Sequence, residues 1–239
     1  MVDVRTLFLM GTGGLLVIAA GIGLYVYSRS RFTALFSLSI GLFFVGLQSI
    51  LDGYINDILL SSYGGSWDNV PREDLARLLA LDTVRASLIV AWAGAEASVI
   101  IELMGIRDPR IRFGIPVGVW ALGTFQSFIM NMVSDVEPIS QRIELSSIVR
   151  VYGFLVVIPL LAGFYIIDRM WRETGSRGLL YIGLAFLLHG VSVSLYSFLK
   201  GASPAALGLW YIVGGILPSL AALYGMILLA REAAEAVTG

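Results

Sequence analysis

Apolar residues in this chain run in seven long stretches, and polar residues gather in the gaps between them. A hydrocarbon core of roughly 30 Å asks for about 20 consecutive apolar residues in helical form. Measured against that length, the pattern predicts transmembrane helices at 6–27, 32–54, 78–104, 113–133, 147–167, 179–199 and 205–230. Composition points the same way. With 57% hydrophobic residues, 14% charged residues and a mean hydropathy of +0.85, the chain lacks the polar surface that a soluble domain of 239 residues needs. The expectation is an all-α integral membrane protein, a single seven-helix domain over 1–239, multi-pass in the cell (plasma) membrane with the lipid bilayer as its first partner. Ala19, Ala20 and Gly21 give the first stretch the small residues of a signal-peptide cleavage point, but the stretch is expected to be retained.

Arginines set the expected orientation, because Arg and Lys favour short cytoplasmic loops. The first, third and fifth loops carry Arg29 and Arg31, then Arg107, Arg110 and Arg112, then Arg169, Arg172 and Arg177, and Arg231 follows the last stretch. The second and fourth connections hold Arg72, Arg77, Arg142 and Arg150, diluted by Asp68, Glu73, Asp74, Asp135, Glu137 and Glu144. The N-terminus is thus expected outside and the C-terminus in the cytoplasm. Trp67, Tyr152 and Trp210 then fall at the outer rim, and Tyr25, Tyr27 and Trp171 at the inner one. In the second connection, Pro71, Glu73 and Asp74 suit the first turn of a helix leading into the third span. In the fourth, Ser134 and Glu137 have capping-box spacing, and Ile139, Ile143 and Leu145 mark a short amphipathic piece. Neither connection reads as a folded extramembrane domain, and the short tail after Ala230 is expected to carry no output domain.

Ile40-Gly41-Leu42-Phe43-Phe44 in the second span is echoed by Ile182-Gly183-Leu184-Ala185-Phe186 in the sixth, and Gly23-Leu24-Tyr25 by Gly163-Phe164-Tyr165. The echoes suggest parallel three-helix repeats joined by the fourth span, although short apolar matches also recur by chance. In plan alone, such a three-plus-one-plus-three arrangement with an outer N-terminus resembles the SWEET sugar transporters and the microbial rhodopsins. The residues depart from both. The only lysine, Lys200, lies at the outer end of the sixth span rather than within the seventh, where a retinal Schiff base needs it, and spans one, two and six lack proline.

Several chemistries are excluded or disfavoured. The absence of cysteine removes disulfides, thiolate metal sites and cysteine nucleophiles. A single histidine rules out a bis-histidine haem site within one chain. No metal site or other cofactor is expected. The formal net charge of −1, with no dense basic run, argues against a nucleic-acid partner. Enzyme motifs of the HExxH or GxSxG kind are absent, and Gly11, Gly13 and Gly14 lie in an apolar span without the Lys-Ser/Thr of a phosphate loop.

Function must therefore be sought in polar residues at membrane depth, which are costly there and usually face a bundle interior. Asp82, Arg85, Trp92 and Glu96 recur at spacings of three, seven and four, along one face of the third span. Asp52 of the second span lies at a similar depth to Asp82 and Arg85 and is placed to share the guanidinium. Glu96 and His189 both fall near the midplane, about 12 Å and 15 Å from the cytoplasmic ends of their helices at about 1.5 Å per residue. They are candidates for a proton relay, or alternatively for hydrogen bonds between helices. His189 shares a face with Ser192, Tyr196 and Lys200. Pro159 and Pro218 interrupt two spans, and Gly214, Gly215, Pro218 and Ser219 form the best candidate for a broken helix that binds an ion or substrate. Gln48 and the stripe Thr124, Ser127 and Asn131 read as interhelical hydrogen bonding. The favoured expectation is a proton- or cation-linked small-solute transporter or channel that uses Glu96, His189, Asp82, Arg85 and Asp52. The alternative is a non-catalytic membrane subunit or seven-helix sensor that docks protein partners or a second copy of itself.

Overall fold

A computed structural model of the chain describes residues 3–150, 157–199 and 212–238. Tyr152, Lys200, Trp210 and the segment 205–211 lie outside the described residues, as do the side chains of Arg150 and Tyr196. Helix dominates, and no strand occurs among the described residues. The helices are α1 (Val4–Ser30), α2 (Thr33–Tyr63), α3 (Arg72–Leu103), α4 (Pro109–Phe128), α5 (Ile139–Arg150), α6 (Val157–Tyr165), α7 (Arg177–Leu199) and α8 (Leu217–Thr238). Wider π-turns extend α4 over Ile129–Val133, extend α6 over Ile166–Trp171 and precede α8 over Ile212–Ile216. Five helical runs, Val4–Ser30, Thr33–Tyr63, Arg72–Leu103, Pro109–Val133 and Ile212–Glu235, are long and apolar enough to cross a bilayer, and Arg177–Ser192 is a shorter apolar helix. The chain is a helical membrane protein on that length and composition.

Local chemistry sets the helix ends. Asp3 caps α1 by accepting a hydrogen bond from the Arg5 backbone N–H. α2 stops where Gly64 and Gly65 take positive φ values of 63° and 82°, conformations that glycine adopts without a side-chain clash. As the sequence predicts, α3 begins directly after Pro71 with Glu73 and Asp74 in its first turn, where carboxylates complement the positive helix end. The Ser134–Glu137 capping box does not form. The Ser134 hydroxyl instead accepts from Val136 N, and α5 begins at Ile139.

The helices close into a ring in which each packs on the next, in the order α1, α2, α3, α6, α7, α8 and back to α1, while α4 lies outside against α3. One continuous apolar core fills the ring, with Leu16 and Ala20 of α1, Leu38 of α2, Trp92 of α3, Ile182 of α7 and Met226 of α8 among its buried members. Hydrocarbon outside the bundle is as apolar as the side chains inside it, so close backbone approach must supply much of the cohesion. Glycine supplies it. A methyl group on Gly13 would lie 2.6 Å from the Gly46 carbonyl oxygen, and one on Gly46 would lie 2.8 Å from that of Gly13. Gly178 and Gly225 make the same reciprocal contact between α7 and α8, at 2.7 and 2.8 Å, and Gly163 and Gly183 join α6 to α7. The sequence echo is not reproduced at this level. Gly183 meets Gly163, whereas its counterpart Gly41 meets Trp92 of α3.

α2 and α3 run beyond the predicted span ends at 54 and 78, because Asp57, Ser61, Ser62, Arg72 and Arg77 lower hydropathy without breaking a helix. Their extensions carry a second small core of Ile55, Leu59, Val70 and Leu78, against which Trp67 packs. Asp68 ties this end to α5: Ser140 donates its backbone N–H at 3.0 Å and its hydroxyl at 2.6 Å to the two carboxylate oxygens. Those bonds, the hydroxyl first, hold the Asp68 carboxyl below its ordinary value.

Two outcomes test this packing. Gly46→Ala should lower unfolding stability by about 1–3 kcal/mol, the usual cost of overpacking, while Gly14→Ala, with nothing within 4 Å of the added methyl, should leave the thermal midpoint in detergent unchanged. The depressed Asp68 value means that the clasp contributes fully above the ordinary carboxylate value and is lost as pH falls through the lowered one. Hydrogen-exchange protection factors in the first turn of α5 should therefore drop over that acid range, and Asp68→Ala should show the low values at every pH.

Candidate functional site

Two polar groupings sit on α3, and both break the apolar pattern that its fold requires. The first occupies the end of the bundle that carries the second and fourth connections. Arg85 donates through Nε to Asp82 Oδ1 at 2.9 Å and through its two terminal nitrogens to Asp82 at 2.6 Å and Asp52 at 3.0 Å. Asp82 is 1% exposed and also receives the Asn131 amide at 2.8 Å. The α-helical spacing of Asp82 and Arg85 makes the first contact local, while the π-turn at Ile129–Val133 carries Asn131 across from α4. Asn131 also donates to Thr83 at 3.1 Å, and Thr124 and Trp120 both donate to Ser87, at 3.1 and 3.0 Å. The polar stripe of α4 thus faces α3. Asp52, Asp82 and Arg85 open onto a cavity of about 500 Å³, shared with Asn56, Trp67 and Ser147.

The second grouping lies deeper. Glu96 stands fourteen positions along α3 from Asp82, about 21 Å at roughly 1.5 Å per residue. It is 1% exposed, and neither carboxyl oxygen has a hydrogen-bond partner among the described residues. Trp92, one turn earlier and 2% exposed, interacts with that carboxyl without a hydrogen bond of proper geometry. Its other neighbour is His189 of α7, whose ring meets the indole edge to face at 4.6 Å between centroids and 89° between planes. Glu96 and His189 therefore do not pair directly: no ion pair or hydrogen bond joins them among the described residues, and Trp92 touches both.

His189 leads on to α8. Pro218 has no N–H to give to the Gly214 carbonyl four residues earlier. The chain there widens into the π-turn, and His189 hydrogen-bonds to the Gly214 backbone. Ser219 donates its hydroxyl to the Gly215 carbonyl at 2.7 Å. The predicted break at Gly214, Gly215, Pro218 and Ser219 is thus a widened turn whose carbonyls are engaged by side chains, rather than an unwound segment. His189 Nε2 is buried without a partner among the described residues. A cavity of about 30 Å³ adjoins it, lined by Leu16, Leu42, Trp92, His189, Pro218 and Ser219, and Glu96 is not in that lining. Such a volume holds about one or two water molecules and no larger solute.

Sequence reasoning placed Asp52, Asp82 and Arg85 together and located Glu96 and His189 at similar depth. It missed Asn131 as a ligand of Asp82, whose only signal was a polar stripe, and it missed Trp92 as the element between Glu96 and His189. It also missed the link from His189 to Gly214, which joins two sites read separately from the sequence. Among the described residues no group of three or more His, Asp or Glu side chains is arranged to hold a metal ion. No family model matches the chain, and comparisons with curated proteins and with solved structures likewise give no match.

The end cluster should be structural as well as polar. Arg85→Met leaves the buried Asp82 carboxylate without its counter-charge and should cost about 3 kcal/mol or more, whereas Asp52→Asn, at a site 26% exposed, should cost far less. Denaturation of the two variants in the same detergent gives the comparison.

Proposed function

We propose that this protein is a seven-helix transporter or channel of the plasma membrane, with its N-terminus outside, that moves protons or cations and links them to a small solute. Glu96 and His189 carry the proton at the midplane. Asp52, Asp82 and Arg85 form the outer gate, and the π-turn at Ile212–Ile216 forms the movable wall. The observation that carries this reading is the Glu96 carboxyl, sealed in an apolar bundle with both oxygens unpartnered. A buried polar group without a hydrogen bond costs several kcal/mol, a penalty a passive scaffold has no reason to bear. His189, whose Nε2 has no partner among the described residues and whose side chain lines a water-sized cavity, adds a second exchangeable site. The cavity of about 500 Å³ at the outer end, of mixed polar and apolar lining, gives a small solute room to bind.

A membrane-subunit or self-associating role has one observation of its own. α4 packs chiefly on α3 and turns Phe113, Val117, Leu122 and Phe125 outward, and Gly114 and Gly118, four residues apart, have nothing within 4 Å of an added methyl. That spacing suits close packing of another transmembrane helix.

Proton flux into liposomes separates the two. With the purified protein under an imposed pH gradient, the parent should acidify the lumen faster than protein-free vesicles, and Glu96→Gln should fall to the protein-free rate. Parent and variant both at that rate would remove the transport reading.

A further inference from the structure

Trp92 touches every part of the central grouping. Its indole meets the His189 ring at 4.6 Å, interacts with the Glu96 carboxyl and forms part of the wall of the 30 Å³ cavity. On its remaining side lies Gly41 of α2, where an added methyl would come within 3.2 Å of Trp92 Cδ1 and 3.9 Å of Nε1. The ring is therefore held as a plate between α2 and α7. Glu96 is within reach of the indole but is not in the wall of the cavity, whereas Trp92 and His189 both line it. The indole is a polar neighbour of the Glu96 carboxyl without a well-formed hydrogen bond to either oxygen, and its bulk is well suited to excluding water from between two exchangeable groups.

Resting on the transport reading above, we infer that Trp92 is the gate of the proton path, an indole plate that separates Glu96 from the water-sized cavity on His189 and swings aside to join them. The position of His189 depends on its bond to the Gly214 backbone at the π-turn, so movement of α8 at that turn reaches the plate through one hydrogen bond and one ring contact. With the plate aside, the Glu96 carboxylic acid gives its proton to a cavity water. That water passes one of its own protons to His189 Nε2, so one O–H bond of Glu96 is lost and one N–H bond of His189 is gained while the water is regenerated. The products are a carboxylate and an imidazolium. Both groups return to neutral before the indole closes, Glu96 taking a proton up again and the His189 imidazolium giving one to water, so one proton moves per cycle. Trp92 is a positioning residue in this scheme and never itself carries the proton.

The test is proton flux in liposomes of the full chain with Trp92 replaced by smaller side chains. A gate predicts a leak: Trp92→Leu should conduct several-fold faster than the parent, Trp92→Phe should fall between the two, and adding Glu96→Gln to either should abolish the gain. A residue that only fills space predicts the opposite, flux at or below the parent value as the bundle loosens. Faster flux that survives Glu96→Gln is a packing defect and overturns the gate as well. Should Trp92→Leu fail to fold by size-exclusion chromatography and circular dichroism, the Phe variant decides alone, since it must exceed the parent in a Glu96-dependent way. Parent flux that depends on Glu96, together with Trp92 variants at or below it, sinks the gate and leaves the transport reading standing. If the parent, Glu96→Gln and both Trp92 variants all match protein-free vesicles, the transport reading falls and takes the gate with it.

Discussion

A polar group inside an apolar bundle surrounded by hydrocarbon has only other protein groups to bind, and that constraint organises most of this molecule. The structure meets it by pairing. Arg85 is spent on Asp82 and Asp52, Asn131 on Asp82 and Thr83, Ser219 on the Gly215 carbonyl and His189 on the Gly214 backbone. Where the helix geometry would have prevented a pairing, the backbone itself changes. The π-turn in α4 aims Asn131 at α3, and the π-turn before α8 accompanies the missing N–H of Pro218. Against this background Glu96 stands out because both of its side-chain oxygens lack a hydrogen bond among the described residues, where His189, Glu102, Gln126, Asn131 and Ser146 each leave a single atom so.

The two α3 groupings differ in kind as well as in depth. The Asp52–Arg85–Asp82 cluster has its charges paired, opens onto a cavity of mixed lining and, through Asn131, joins α2, α3 and α4. The Glu96–Trp92–His189 grouping leaves both Glu96 oxygens and His189 Nε2 without hydrogen bonds among the described residues and adjoins a water-sized void. Under the proposed transport role, rigidity at one end and an unmet hydrogen-bonding demand at the centre are complementary, since a proton path needs fixed walls around groups that gain and lose protons. Glycine crossings at Gly13 with Gly46 and at Gly178 with Gly225 bring the helices close without polar contacts, so the polar residues at the centre are not needed to hold the ring together.

The helical membrane class was legible from the length and hydropathy of the apolar stretches, because those two properties are what a bilayer imposes. The ends were not. α2 and α3 extend past their apolar segments because Asp57, Arg72 and Arg77 propagate a helix as well as apolar residues do, and hydropathy does not register that. The Ser134 capping box failed because the same hydroxyl found a nearer donor in Val136. Within the sites, the contact from Asp82 to Arg85 could be read from helical spacing alone, whereas Asn131 to Asp82 and His189 to Gly214 could not. Both depend on π-turns and on which faces of separate helices converge. Trp92 was visible on the Glu96 face but carried no sign of its neighbour across the bundle. The echo between Gly41 and Gly183 shows the reverse case, a sequence likeness whose two members make unlike contacts.

The central claim is that Glu96 lies on an aqueous route interrupted by Trp92. Because the chain contains no cysteine, a Glu96→Cys variant has a single thiol, and a small water-soluble thiol reagent can be applied separately to each side of a sealed vesicle. The account predicts slow labelling from one side only while Trp92 is present, and labelling from both sides once Trp92→Leu is added. A thiol that reacts from neither side in either background would contradict it.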